Sequence, residues 1–395
     1  MRIRAAYMLL LVALCIGSIG IWGAIQVREA SAATSPSYLK NWNPAAAARY
    51  LDAREVWWQN WPSAQMDHAT VCISCHTVVP YALVRPALRQ RLDEKEMTGP
   101  ETAMLASVKK RVTDWSQMTP FYTDAAAGPG KTAQSHATEA VLNAVILSAY
   151  DAAHGFLSPV TQTAFDEAWA LQEKTGENAG AWNWQDFHLA PWESPESAYQ
   201  GAALMAIALG NAPDHYASKP GVREHQDLLQ SYLHRQYATQ PLMSQLYVLW
   251  ASARMPGLLA EADRTRLIEK IADLQLQDGG WALPSLDQQP GRRRYLLDLW
   301  RQMSNTAESD GCATGLVVLA LEKAGVNPQD PVLTRGFQWL EQHQSKKDGS
   351  WWASSLNTSR DPDSDIGRFM TDAATGYAAL ALENVRRESP DSIPQ

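Results

Sequence analysis
Three stretches far apart in the chain read alike: PESAYQGAALMAIALGN at 195–211, SDGCATGLVVLALEKAG at 309–325 and TDAATGYAALALENV at 371–385. Each has an acidic residue at its start and small residues through its first turns, then continues as an apolar stripe at helical spacing. A fourth, SHATEAVLNAVILSAYDAAHG at 135–155, follows the same plan with His136 near the acid position. Apolar helices repeated in this way must find partners in their own copies, so the chain is expected to tie helix to helix along its length.

Helical apolar spacing also covers 161–174, 222–237, 242–253, 262–276 and 332–344, and upstream 44–60, 81–92 and 101–115. Gly, Pro, Asn and Asp fill the gaps. No stretch alternates in the manner of a half-buried strand, so the class is all-α. Between the repeated helices a second phrase recurs. RGFQWLEQHQSKKDGSW at 335–351 is one copy, IADLQLQDGGW at 271–281 a second, and Trp169…Gln172…Gly180-Ala181-Trp182 a degraded third. A glutamine at a helix end can satisfy orphan carbonyls, the glycine takes the turn, and the indole packs on the neighbouring repeat.

This phrase resembles the QW motif of squalene-hopene cyclases. Over about residues 130–388 the helices resemble those of the wider terpenoid cyclase and protein prenyltransferase superfamily. The resemblance implies a toroid of inner and outer helices around a central cavity. Counted from Pro44 the chain has twelve helices, enough for six outer–inner alternations, an (α/α)6-like toroid. The first inner helix would follow residue 76, and 136, 196, 242, 307 and 371 would begin the others. On this count 33–125 form the first part of the toroid and 126–390 the repeat region. A separate cytochrome-like domain over about 40–125, followed by a shortened toroid, is the other arrangement.

The stretch DHATVCISCHTVVPYALVRPALRQRL at 67–92 holds Cys72-Ile73-Ser74-Cys75-His76. Haem c attachment needs two thiols to add across two vinyl groups and an imidazole to reach the iron, and C-x-x-C-H provides both. Zinc would want four ligands, and no second C-x-x-C or H-x-x-x-H follows. A Cys72–Cys75 disulfide is the alternative. It leaves His76 unexplained, and the thioredoxin-like βαβ pattern that goes with such redox pairs is missing. His76 is the expected proximal ligand. Met118, in Trp115-Ser-Gln-Met-Thr-Pro-Phe121, resembles the axial methionine segment of small class I cytochromes c. His136 and His68 are the other candidates for the sixth position, which can also be open.

Squalene-hopene cyclases carry their protonating acid in a D-x-D-D segment. The nearest stretch here is Asp361-Pro362-Asp363-Ser364-Asp365, which departs from it. Asp310-Gly311-Cys312 resembles the segment giving two zinc ligands in protein prenyltransferase β-subunits, but the third ligand is replaced near Thr371 and Asp372. Asp310 and Asp372 are the candidate catalytic acids of the cavity, and capping of their own helices is the other role open to them. Paired carboxylates of a glycosidase toroid are a further reading of the Gly-Trp and Asp-Gly phrases.

The chain begins MRIRAAYMLLLVALCIGSIGIWGAIQVREASAATS, with a basic start, no charge over 5–26, and Ala30-Ser31-Ala32. Residues 1–32 therefore read as a signal peptide, or as a membrane anchor if uncleaved. Export suits haem c, which is attached outside the cytoplasm. A net charge of −8 with no basic run longer than three residues argues against nucleic acid. The sequence thus predicts an exported, periplasmic haem c protein on a squalene cyclase-like toroid. It would exchange electrons with a redox partner protein or a small-molecule acceptor, or oxidise an apolar, isoprenoid-like ligand. A non-catalytic binding or electron-carrier module and a haem-independent terpenoid cyclase-like enzyme are the alternatives.

Overall fold
Twelve helices of 11 to 24 residues carry the residues described by the computed structural model, 41–287 and 308–387, and they alternate between two kinds of burial. The outer helices are α1 (Pro44–Asn60), α3 (Gly99–Thr113), α5 (Pro159–Ala170), α7 (Pro220–Gln236), α9 (Glu261–Asp273) and α11 (Pro331–Gln342). The inner ones are α2 (Val78–Arg91), α4 (Lys131–His154), α6 (Ser197–Asn211), α8 (Leu242–Ser252), α10 (Gly311–Lys323) and α12 (Phe369–Arg387). On α9 only Leu267 and Ile271 are buried, and on α7 only Val222, Leu229, Tyr232 and Leu233. One stripe facing a core is what an outer layer requires. On α10, by contrast, every residue from Gly311 to Glu322 is buried, because neighbours cover it on all sides.

The inner helices close on themselves. α2 packs on α4, α4 on α6, α6 on α8, α8 on α10, α10 on α12, and α12 back on α2. The protein is an all-α toroid. The expected leader or anchor at 1–32 lies outside the described residues. Among the described residues no helix is long and apolar enough to cross a membrane.

The recurring Gln–Gly–Trp phrase makes one contact three times. Gln275 Nε2 donates to Gly279 O and to Val332 O at the start of α11, both at 2.8 Å. Gln344 Nε2 donates to Gly349 O at 2.9 Å and to Asn43 O at 3.0 Å. Gln172 Nε2 donates to Gly180 O at 3.1 Å and to His225 O in α7 at 3.0 Å. Each amide thus spends one proton on its own turn and one on the next outer helix. The indoles of Trp182, Trp281 and Trp351 donate back into the preceding outer helix, to Ala168 O, Ile271 O and Leu340 O at 2.6–2.8 Å. The Gln344 copy reaches a residue 301 positions earlier, so it latches the last outer helix to the first.

Gly349 shows how tight that latch is. Its φ is +84°, and a Cβ there would stand 2.4 Å from the Ala46 backbone carbon. Gly349→Ala is expected to destabilise the fold by about 1–3 kcal/mol through left-handed strain, with the clash in addition. Gly155→Ala, at φ +75° with open space around it, tests the strain alone. Urea unfolding of both variants should show the larger loss at Gly349.

Two local expectations are corrected. α4 begins at Lys131 rather than 136, after Gly130 in the left-handed region, so His136 sits inside the helix and not at its start. A two-residue hairpin, Gln65–Met66 against Thr70–Val71, also forms where no strand was expected, since such short strands leave no alternation to read. It turns the chain inward immediately before Cys72.

Candidate functional site
The segment after this hairpin is fixed by its backbone. Cys72 N donates to Ala64 O at 2.8 Å, and the Trp58 indole donates to Cys72 O at 2.7 Å. Ser74 Oγ accepts from Thr77 N and Val78 N at 3.2 and 3.1 Å, capping α2 from a distance of three residues. Cys75 and His76 stand in the turn just ahead of that helix. Val71, Ile73, Ser74 and Thr77 are buried, whereas Cys72, Cys75 and His76 each keep accessible surface. The two thiols and the imidazole are thus the part of this turn that is not fully covered.

They are nevertheless deep. Burial pushes both thiols up, aided at Cys72 by Glu139 and at both by Glu193. Both cysteines are free thiols. Burial, helped by Arg54 and Arg360, pushes His76 down to about 3, so the imidazole is neutral.

His76 is held by three aromatic rings and a hydroxyl. Its ring stacks on Phe369 at 3.9 Å and meets Trp58 at 5.3 Å and Trp192 at 6.0 Å. Its Nδ1 lies 2.9 Å from Thr77 Oγ1, and Thr77 Oγ1 donates to Asp372 Oδ2 at 2.8 Å. A threonine hydroxyl has one proton. Since that proton goes to the carboxylate, the hydroxyl accepts from Nδ1–H, and Nε2 is left with its lone pair. Asp372 Oδ1 also accepts from Tyr50 OH and Arg54 Nε, both at 2.8 Å, and Arg54 continues to Asp365 at 2.8 Å. Three elements, α1, the motif turn and α12, meet at this carboxylate. Burial pushes it above the usual carboxylate range against the pull of Arg54, Thr77 and Tyr50.

The remaining predicted residues occupy other places. Asp310 caps α10: Oδ1 accepts from Cys312 N and Ala313 N at 3.0 Å, and Oδ2 from Leu283 N at 2.6 Å. Burial pushes it up to about 7 despite these amides. Cys312 is buried, within electrostatic reach of Tyr247 and Tyr377, whose hydroxyls are 2.7 Å apart. Met118 is buried in the loop after Trp115. His136 lies edge-on to Trp115 at 5.3 Å and is pushed down by burial and Arg111. His68 is exposed, with φ at +54°. Among the described residues no ring contact or hydrogen bond joins Met118, His136 or His68 to His76.

Two features escaped the sequence reading. Thr77 carries the link from His76 to Asp372, and a hydroxyl directly after the motif histidine was the available signal. Glu193 acts on Cys72, Cys75 and Tyr122; burial pushes its carboxyl up while Lys131 opposes. It lies in an irregular loop, where no spacing marks it. Trp57, Trp58, Trp61 and Phe369, with ring centroids 5.1–6.2 Å apart, form an aromatic wall behind His76.

The donor set suits a covalent haem: two free thiols for the vinyl groups and a neutral imidazole whose Nε2 is spare for iron. Comparison with known proteins adds little. Neither a protein-family profile nor a curated protein matches the chain. Among solved structures, a polysaccharide lyase aligns over 90% of this chain and 92% of its own, at 13% identity and a TM-score of 0.38.

Proposed function
We propose that this is an exported, periplasmic c-type haem protein built on a squalene cyclase-like toroid. Cys72 and Cys75 hold one haem c and His76 is its proximal ligand. The observation that carries this reading is a pair of free, partly accessible thiols directly preceding a histidine whose Nδ1 is already engaged. Bound there, haem c supplies one-electron redox chemistry. The chain does the rest. Phe369, Trp58 and Trp192 shield the His76 ring from water and give an adjoining ligand an apolar wall. Glu193 adds a carboxyl on the thiol side. The electron goes to or comes from a redox partner protein or a small-molecule acceptor. The ligand class favoured by the wall is apolar and isoprenoid-like. Met118 or His136 takes the distal position if it is filled.

Acid-initiated cyclisation is the weaker reading. A protonating acid needs an oxygen free to present its proton, and both candidate acids are filled: Asp310 by three backbone amides, Asp372 by Tyr50, Arg54 and Thr77.

The test is the visible spectrum of the protein from a host with c-type maturation, reduced with dithionite, before and after carbon monoxide. A covalent-haem α-band is expected, and its absence overturns the proposal. A band that carbon monoxide shifts marks an open or labile distal face and favours oxidation of a bound ligand. A band that does not move marks a filled distal face and favours electron transfer.

A further inference from the structure
The histidine of a haem-attachment motif needs a partner for Nδ1–H, and a backbone carbonyl is enough to provide one. This chain uses a side-chain relay instead. Thr77 Oγ1 stands 2.9 Å from His76 Nδ1 and donates at 2.8 Å to a carboxylate from α12, 295 residues away. Asp372 itself is fully buried and pinned by Arg54 Nε and Tyr50 OH at 2.8 Å. An aspartate brought this far into the ring, fastened by two further donors and linked to the motif through one hydroxyl, has no role as a cap that would explain the arrangement. It starts in the first turn of α12, but its oxygens accept side-chain donors.

The geometry points to Thr77 and Asp372 as positioning residues that set the donor strength of His76. This rests on the haem reading above. The carboxylate draws on the Thr77 proton, the Thr77 oxygen draws on the Nδ1 proton, and electron density rises at Nε2. A stronger donor favours the ferric over the ferrous state. The relay therefore holds the one-electron potential low, which suits a site that yields electrons readily. Arg54 sets the limit of this effect, because it neutralises part of the Asp372 charge and is itself shared with Asp365 at 2.8 Å. Stacking on Phe369 at 3.9 Å keeps the ring from rotating away from the relay.

Redox titration of the haem-loaded protein tests this against Thr77→Val and Thr77→Ser. Valine keeps the shape and removes the hydroxyl; serine keeps the hydroxyl. Outer-shell partners of a metal-bound histidine are worth roughly tenfold or more when removed. Thr77→Val should therefore favour the ferrous state about tenfold, a rise of about 59 mV for one electron, with the α-band retained. Thr77→Ser should stay at the wild-type potential. A valine variant at the wild-type potential, or a serine variant displaced as far as valine, overturns the proposal. A purely structural role for Thr77 would change stability and leave the potential where it was.

Should the valine variant fail to accumulate, the wild-type chain made without haem gives a second readout. The 15N resonances of His76 are expected to show Nδ1–H as the main tautomer, and a predominant Nε2–H form overturns the relay. The same measurement separates two failures. A chain that never takes up haem but shows Nδ1–H ends the haem reading and leaves the relay intact.

Discussion
A Cys72→Ala, Cys75→Ala double variant should carry no haem that survives acid–acetone extraction, while the wild type keeps one per chain. Each thiol is free and partly accessible, as is His76. Each can form one thioether, so either single variant should retain haem through the other sulfur, with a displaced α-band from the unreacted vinyl group. Only the double variant loses attachment. His76 then still offers Nε2, so loosely bound haem can persist in the double variant, but extraction removes it. Mass spectrometry under denaturing conditions reads this directly: wild type heavier than the polypeptide by one haem, the double variant at polypeptide mass. If wild type from a maturation-competent host instead appears two hydrogens light, Cys72 and Cys75 form a disulfide and the haem reading is wrong. The expected effect is the complete loss of covalent haem, and no general destabilisation imitates it, because an unstable holoprotein still retains thioether bonds.

Sequence patterning reached the helices and stopped at what crosses between them. The acid–small–apolar phrases at 195–211, 309–325 and 371–385 mark inner helices because burial on all sides leaves a continuous apolar signal. The Gln and Trp phrases marked the outer-helix ends for a related reason: a conformationally special glycine must follow the glutamine closely in sequence. The indole was expected on the neighbouring repeat, and the Trp281 ring does lie against Gly336 of the next outer helix, while the indole N–H groups turn back to Ala168, Ile271 and Leu340 of their own outer helices, a choice set by main-chain geometry. Asp372 was singled out for its place at a helix start. What it does depends on Tyr50, Arg54 and Thr77, which lie 322, 318 and 295 residues away and reach it only because the ring closes. Asp310 was chosen on the same ground, and there local logic sufficed, since two of its three amide partners are the next residues along. Glu193 was invisible because irregular loops have no period to read.

The largest stability effect is expected at Arg111, a residue that no motif marks. Its guanidinium is fully buried and makes five hydrogen bonds. Nε pairs with Glu139 Oε1 and Nη2 with Glu139 Oε2 at 3.0 Å, tying α3 to α4. Nη1 donates to Thr70 Oγ1 at 2.8 Å, in the strand that leads into Cys72, and lies 3.4 Å from Asp67. Nη2 also donates to Thr119 O at 2.7 Å, beside Met118, and the group sits over the Phe121 ring at 4.8 Å. Removing one partner of a buried pair leaves the other uncompensated, which costs about 3–5 kcal/mol. Burial already pushes Glu139 above the usual carboxylate range with Arg111 in place. Without the arginine the carboxyl should take up a proton instead of remaining charged, which places the cost toward the lower end of that range. Urea unfolding of Arg111→Ala at neutral pH should show this loss. Adding Glu139→Gln removes the orphaned acid and should recover part of it, whereas two independent sites would only add their costs. The variant also separates stability from chemistry. Arg111 holds the approach to Cys72 and the Met118 segment together but touches neither thiol. Folded Arg111→Ala at low temperature should therefore still attach haem, with a distal face more open to carbon monoxide if Met118 is the sixth ligand and unchanged if it is not.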